Sequence, residues 1–333
     1  MQISLIKPGI FSTIQDLGRH LYLSDAVPIS GVMDTLSAKI ANKAVGNEDN
    51  AAVIEFTYAN AEFEAETNIL IAYAGDGAIF KAENLDLPSD KPVFIPAGTV
   101  IRLIKNPKGS RTYLAVSGGW DVPEILGSRS TYLTASFGGL QGRQLQSGDT
   151  LRNCNSSAET AKKIWEKLQG DKINYPEWSI ARQLFLPVNQ KLIRVVPAQE
   201  FNWFNGRSII DFLSSPYKLS LRSNRMGYHL EGISINSLTK KELLSTAVAP
   251  GMIQVTGNGS MILLMADCQT TGGYPRIAQV VAVDLPLCAQ LNPGDELFFK
   301  EICRREAELL YFEREQQLKK LTIAIRYQVA SNQ

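Results

Sequence analysis

Residues 100–116 read VIRLIKNPKGSRTYLAV. Two apolar runs, Val100 to Ile104 and Thr112 to Val116, flank a turn marked by Pro107 and Gly109. β-branched and aromatic residues on both sides of a Pro/Gly break specify two short strands. The same pattern extends upstream. Val53 to Tyr58, Ile69 to Tyr73 and Val93 to Ile95 each read as a strand, with Gly75, Gly77, Pro88, Pro92, Pro96 and Gly98 between them. No helical spacing separates these runs, so alternating strand–helix units are excluded, and the sequence predicts a barrel or sandwich. Neither a GxGxxG nor a Walker-type phosphate loop is present.

Outward from this block the chain stays mainly β with a few helices. Leu192 to Pro197, Ile253 to Val255, Met261 to Ala266, Ala278 to Val283 and Leu297 to Phe299 read as further strands. Leu36, Ile40, Ala44 and Val45 recur at helical spacing over 35–45, with Asp34 as N-cap, Ser37 three residues on and Gly46 as the stop. Ser156 with Glu159 forms a capping-box pattern for a helix ending at Gly170, whose apolar face is Ala161, Ile164, Trp165 and Leu168. Residues 301–321 read as a charged surface helix, and Thr322 to Ile325 as a last short strand. The polar segment 171–189, with Pro176 and Pro187, is the expected boundary between domains 1–185 and 186–333; a chain of 333 residues fits two domains.

The chain carries 34 basic and 33 acidic side chains, with no long Lys/Arg run, which argues against a nucleic-acid surface. Cys154, Cys268, Cys288 and Cys303 form no CxxC pair, and His20 and His229 are the only histidines. A Cys/His metal site is therefore not expected, and the cysteines read as reduced thiols. The sequence shows neither a signal-peptide-length apolar run at the N-terminus nor an apolar stretch of membrane-spanning length, so the expected location is cytoplasmic and no membrane contact is predicted.

Polar residues concentrate in a few places. Between the strands at 261–266 and 278–283 stand Asp267, Gln269, Thr270, Thr271, Gly272, Gly273, Tyr274 and Pro275. Chain reversal alone needs fewer polar groups. The segment reads either as a turn capping its own backbone or as the polar lip of a binding site. In 117–143, Ser128, Arg129, Ser130 and Thr131 precede Gly138, Gly139, Gly142 and Arg143. Arginine offers a planar donor fork, and hydroxyls and glycine amides add donors without bulk. Ser30 and Gly31, ahead of the 35–45 helix, are placed to face a ligand. Asp16 and Arg19 flank Gly18 and read as an exposed local ion pair.

These stretches together resemble the biotin-dependent carboxyltransferase-like family, which holds the 5-oxoprolinase C subunit, KipA-like proteins and the carboxyltransferase part of urea carboxylase. The resemblance rests on TIQDLGR at 13–19, SGVMD at 30–34, GGWDVPEILGSRST at 118–131, GGLQGRQL at 138–145, SNRMGYHLEG at 223–232 and DCQTTGGYP at 267–275. The blocks run in family order from about residue 8 to residue 299. The chain departs from the family pattern at His229, where arginine is common, and at Thr246, where glutamate is common.

The resemblance implies two cyclophilin-like β-barrel domains. It also implies one component of a larger 5-oxoprolinase, which works with a KipI-like B subunit plus an A subunit to open 5-oxoproline to glutamate with ATP. Two other activities of the family stay open: a regulatory protein that binds a KipI-like partner, and carboxyl transfer from carboxybiotin to urea or a similar amide. The ATP that the resemblance implies would be bound by this chain or by a partner. No methionine is flanked as in a Met-Lys-Met biotin-attachment site, so biotin would arrive on another protein. On the matching positions, Asp267, Gln269 and Arg129 are the candidate catalytic residues. Ser30, Gly31, Ser128, Ser130, Arg225, Thr270, Thr271 and Tyr274 are the candidate contacts to a small amide substrate.

Overall fold

A computed structural model of the chain describes residues 1–154, 158–238 and 243–330. Its contacts group them into two units. The first holds Met1–Arg19, Asp34–Phe185 and the chain from Gln317 onward; the second holds His20–Met33 and Leu186–Gln316. The fold is mainly β, as the strand pattern predicts.

The first unit is built from β1 (Gln2–Pro8), β2 (Phe11–Gln15), α1 (Thr35–Ala44), β3 (Val53–Thr57), β4 (Ala61–Ala65), β5 (Ile69–Gly75), β6 (Ala78–Ala82), β7 (Leu85–Asp86), β8 (Val93–Ile95), β9 (Val100–Lys105), β10 (Arg111–Val116), β11 (Thr150–Arg152) and α2 (Glu159–Leu168). A six-stranded sheet runs β11-β1-β4-β9-β6-β7 and a five-stranded sheet runs β2-β3-β10-β5-β8. Aromatic residues join their inner faces. The rings of Tyr73 and Phe80 stack at 4.1 Å, and Phe80 meets Phe56 and Phe63 edge-on at 6.1 and 6.2 Å. Such pairs add to the burial of apolar area that holds two sheets face to face.

β4 and β6, AEFEA and AIFKA, escape a propensity reading because alanine, glutamate and lysine are poor strand formers. Period-two burial explains them. Ala61, Phe63 and Ala65 face the core, as do Ala78, Phe80 and Ala82, while Glu62, Glu64 and Lys81 are only partly covered. α1 is capped as expected: an Asp34 carboxylate oxygen accepts the Ser37 amide at 2.9 Å and the other accepts the Ser37 hydroxyl at 2.6 Å. α2 buries Ala161, Ile164 and Leu168 and sets Trp165 edge-on to Phe94 at 5.3 Å. Ser156, the expected partner of Glu159 in a capping box, lies outside the described residues.

The second unit contains β12 (Leu192–Pro197), α3 (Gly206–Ser214), β13 (Tyr217–Leu219), β14 (Gly227–Glu231), β15 (Thr246–Ala247), β16 (Met252–Val255), β17 (Met261–Leu264), β18 (Thr271–Gly272), β19 (Arg276–Val280), α4 (Leu285–Gln290) and β20 (Glu296–Glu301). Seven strands close a barrel in the order β12-β19-β16-β17-β14-β13-β20, and the parallel pairing of β20 with β12 completes the ring. Closure leaves no free sheet edge. Ile193, Val195, Ile253, Val255, Leu263, Ile277 and Phe299 fill the core, and Phe212 of α3 stacks on Phe299 at 4.7 Å. β15 and β18 form a separate two-stranded sheet.

α5 (Arg304–Ala330) begins in the second unit and continues into the first. It corrects the expectation of a strand at Thr322 to Ile325. The buried residues of this segment are Leu318, Ile325 and Val329, a helical spacing that one apolar stripe satisfies and a strand does not. Among the described residues no helix is long and apolar enough to cross a membrane.

Candidate functional site

Each unit holds one polar cluster made of the residues singled out in the sequence. In the first unit the centre is Asp16, which follows β2 and is 2% exposed. One carboxylate oxygen accepts the hydroxyls of Ser128 and Ser130, both at 2.6 Å, and the Gly18 amide at 2.8 Å. The other accepts the Arg129 amide at 2.6 Å. Ser130 Oγ in turn accepts the Asp16 amide at 2.9 Å. The loop 128–131 is thereby tied to the end of β2. Thr131 extends the tie, its amide and hydroxyl both donating to the Ile14 carbonyl at 2.9 Å.

Arg19 is buried as well. It donates to the Ser130 carbonyl at 2.5 Å, and its guanidinium lies 4.8 Å from the centre of the Phe137 ring. This corrects the reading of Asp16 and Arg19 as an exposed local pair: both sit under the 128–139 loop, where charge-assisted hydrogen bonds are strong. Gly138 and Gly139 have φ of +74° and +51°, and a Cβ on either would strike the Ser130 carbonyl or the Thr131 hydroxyl. Glycine is required at both positions. Hydrogen bonds to Asp16 turn the Ser128 and Ser130 hydroxyls inward. The Arg129 side chain leaves the cluster, 33% exposed, with Glu124 at 3.3 Å. Its Nε is buried without a hydrogen-bond partner.

In the second unit the cluster centres on Arg225 and Asp267. Arg225 donates Nε to one carboxylate oxygen at 2.7 Å and Nη2 to the other at 3.1 Å, and Nη2 also reaches the Gly31 carbonyl at 2.5 Å. Both side chains are buried. Ser30 and Gly31 hold φ of +56° and +84°, a left-handed pair that costs about 1 kcal/mol or more at the serine. The Ser30 hydroxyl, also buried, has no hydrogen-bond partner. An unsatisfied buried hydroxyl costs about 1–3 kcal/mol, a cost that a ligand acceptor or donor at this spot would remove.

The 267–275 loop continues from Asp267. Gln269, Thr271 and Tyr274 are exposed and Thr270 is half-buried. Thr271 and Gly272 pair with Ala247 and Thr246, and the Thr270 carbonyl accepts the Val248 amide at 2.9 Å. The loop is therefore a supported lip rather than a free turn.

Two features of this unit escaped the sequence reading. Gln254, 1% exposed, lies beneath the loop between the core residues Ile253 and Val255, and only its place in a barrel strand marks it. Arg276 donates to both oxygens of Glu200 at 2.6 Å and to the Ala247 carbonyl at 3.0 Å. Burial pushes the Glu200 carboxyl up, but the hydrogen bonds from Arg276 hold it below its ordinary value. Glu200 is too distant in sequence from Arg276 for a spacing rule to pair them.

The closed barrel, the two-sheet unit and these clusters define a carboxyltransferase-type protein. The chain belongs to the family described as carboxyltransferase domain, subdomain A and B, whose model matches residues 25–301. It is 36% identical over 307 residues to the 5-oxoprolinase C subunit of Escherichia coli (strain K12), covering 92% of this chain and 93% of that protein. It is 33% identical to the 5-oxoprolinase C subunit of Haemophilus influenzae, again over 307 residues, covering 90% of this chain and 91% of that one. The crystal structure of the Kluyveromyces lactis urea carboxylase superposes with a TM-score of 0.85 at 26% identity, over 96% of this chain but only 29% of that one.

Proposed function

We propose that this chain is the C subunit of an ATP-dependent 5-oxoprolinase that opens the lactam of 5-oxoproline to glutamate together with partner A and B subunits. The observation that carries the reading is the end-to-end likeness to the 5-oxoprolinase C subunit, 92% of this chain on 93% of the relative. The likeness to urea carboxylase spans less than a third of that larger protein.

A lactam resists hydrolysis because its nitrogen is a poor leaving group and its carbonyl is weakly electrophilic. Transfer of the γ-phosphoryl group of ATP to the carbonyl oxygen, with ADP leaving, makes that oxygen a leaving group and the carbon more electrophilic. The two clusters do not fit a triphosphate: Arg225 is held by Asp267 and Gly31, and Arg129 by Glu124. In this reading the nucleotide belongs to a partner protein, and this chain contributes substrate recognition. The Ser30 hydroxyl and the exposed face of Gln269 to Tyr274 are the groups left to contact the substrate, while Arg225 and Asp267 fix the backbone around them.

The test is reconstitution. Purified chain, both partner subunits, 5-oxoproline and ATP should release glutamate, and omission of this chain should abolish it. No glutamate from folded, complete mixtures, or equal release without this chain, ends the reading. The superposition on urea carboxylase favours one alternative: carboxyl transfer from carboxybiotin on a separate carrier. Labelled carboxyl appearing on an amide acceptor would support that activity instead.

A further inference from the structure

Gln254 and Gln269 form a relay whose direction is set by chemistry. Gln254 Nε2 lies 3.4 Å from the Tyr274 carbonyl oxygen, a group that only accepts hydrogen bonds. The amide of Gln254 must therefore turn its nitrogen there, which leaves Oε1 toward Gln269. Gln269 Nε2 lies 3.5 Å from that oxygen, which also only accepts. Gln269 in turn must direct its nitrogen inward, which leaves the Oε1 of this exposed side chain out of the contact with Gln254. Gly272 makes room for the relay, because a Cβ there would come within 2.6 Å of Gln254 Nε2.

We propose that Gln254 is a positioning residue that holds Gln269 so that its outward carboxamide oxygen accepts the ring N–H of a lactam substrate. This deepens the function proposed above and rests on it. A lactam is a planar cis amide, so its N–H and C=O lie along one edge. A primary carboxamide presents the complementary edge, an acceptor beside a second N–H. The loop thus selects a cyclic amide over an ester or an N-alkylated ring by a donor that those analogues lack. Sites built to hydrogen-bond a substrate N–H reject analogues without it strongly, because the protein's polar group is then left unpaired.

The experiment uses the complete complex and two inhibitor probes, N-methyl-5-oxoproline and the five-membered lactone of the same acid. Wild type should bind each at least about tenfold more weakly than 5-oxoproline. Gln254→Met and Gln269→Leu should each raise KM for 5-oxoproline about tenfold, change kcat by less than about threefold, and erase most of the discrimination against both probes. Gln269 is exposed, so Gln269→Leu decides the matter if Gln254→Met fails to fold. Unchanged discrimination in a folded, active variant, or a wild type that accepts the N-methyl ring equally, overturns the proposal. A wild-type complex that makes no glutamate from 5-oxoproline overturns both this inference and the function on which it rests.

Discussion

Arg225 and Asp267 grip each other twice. The guanidinium meets both carboxylate oxygens, and the Arg225 carbonyl accepts the Asp267 amide at 2.9 Å. Asp267 begins the loop that carries Gln269, so the pair fixes where that loop leaves the barrel. Breaking a buried pair from one side leaves an uncompensated charge and costs about 3–5 kcal/mol. Arg225→Met should therefore lower stability to urea by that amount, and Arg225→Met/Asp267→Leu should recover more than half of it. A double variant as unstable as the single one would show that packing, not charge, dominates.

Asp16 gathers four donors in the first unit, two hydroxyls and two amides. Asp16→Asn removes the charge and turns an NH2 group toward some of those donors. A loss of about 2–4 kcal/mol is expected in chemical denaturation. Ser128→Ala and Ser130→Ala should each cost less, about 1–2 kcal/mol, because each removes one donor from a carboxylate that keeps the rest. If either serine variant alters substrate KM while leaving stability unchanged, its hydroxyl serves the ligand and not Asp16.

Asp90 gives a pH test of opposite sign to the usual carboxylate. Burial raises its pKa from 3.8 to about 6, against the attraction of Arg182, whose Nε lies 3.4 Å away. Arg182 is meanwhile held by Asp76 at 2.6 and 3.1 Å. A raised carboxyl pKa means that the folded state binds the proton more tightly than the unfolded one. The destabilisation is absent below 3.8, grows between 3.8 and about 6, and is complete above that. Asp90→Asn should accordingly stabilise the chain by about 1–3 kcal/mol at pH 8, with the advantage fading as the pH falls below 6. Thermal melts of both proteins at pH 8 and pH 4 decide it, and an advantage that grows toward acid would refute the assignment.

Gly138 tests the backbone of the 128–139 loop. Its φ of +74° and the Ser130 carbonyl beside its missing side chain leave no place for a methyl group. Gly138→Ala should destabilise by about 1–3 kcal/mol, whereas Gly148→Ala, at φ +87° with nothing near it, should cost only the backbone strain of about 1 kcal/mol. Urea titrations of the two variants compare contact with strain directly.

What the sequence made legible follows from how local the physics is. The strands at 53–57, 69–75, 93–95, 100–105 and 111–116 carry β-branched and aromatic residues and declare themselves. The Asp34 cap needs only Ser37, three residues away, to be read. β4 and β6 stayed hidden because their identity comes from neighbours: β4 pairs with β1 and β9, and β6 with β7 and β9. Thr322 to Ile325 read as a strand because the buried positions that reveal a helix, Leu318 and Val329, lie outside that short window. The hydroxyls of Ser128 and Ser130 looked available because no pattern tells which side of a loop faces inward. Their acceptor, Asp16, is more than a hundred residues upstream, beyond the reach of any spacing rule.

The first unit draws on chain segments that lie on both sides of Leu186–Gln316, the barrel-bearing part of the second unit, in sequence. Lys43 of α1 donates to the Thr322 hydroxyl at 2.8 Å, Lys167 of α2 donates to the Val329 carbonyl, and Leu318, Ile325 and Val329 are buried. A nascent polypeptide leaving the ribosome makes the whole barrel before it makes these partners. The unit begun first during synthesis is thus finished last, and until α5 emerges Lys43 of α1 and Lys167 of α2 lack these partners, a window in which chaperones or proteases have their best access.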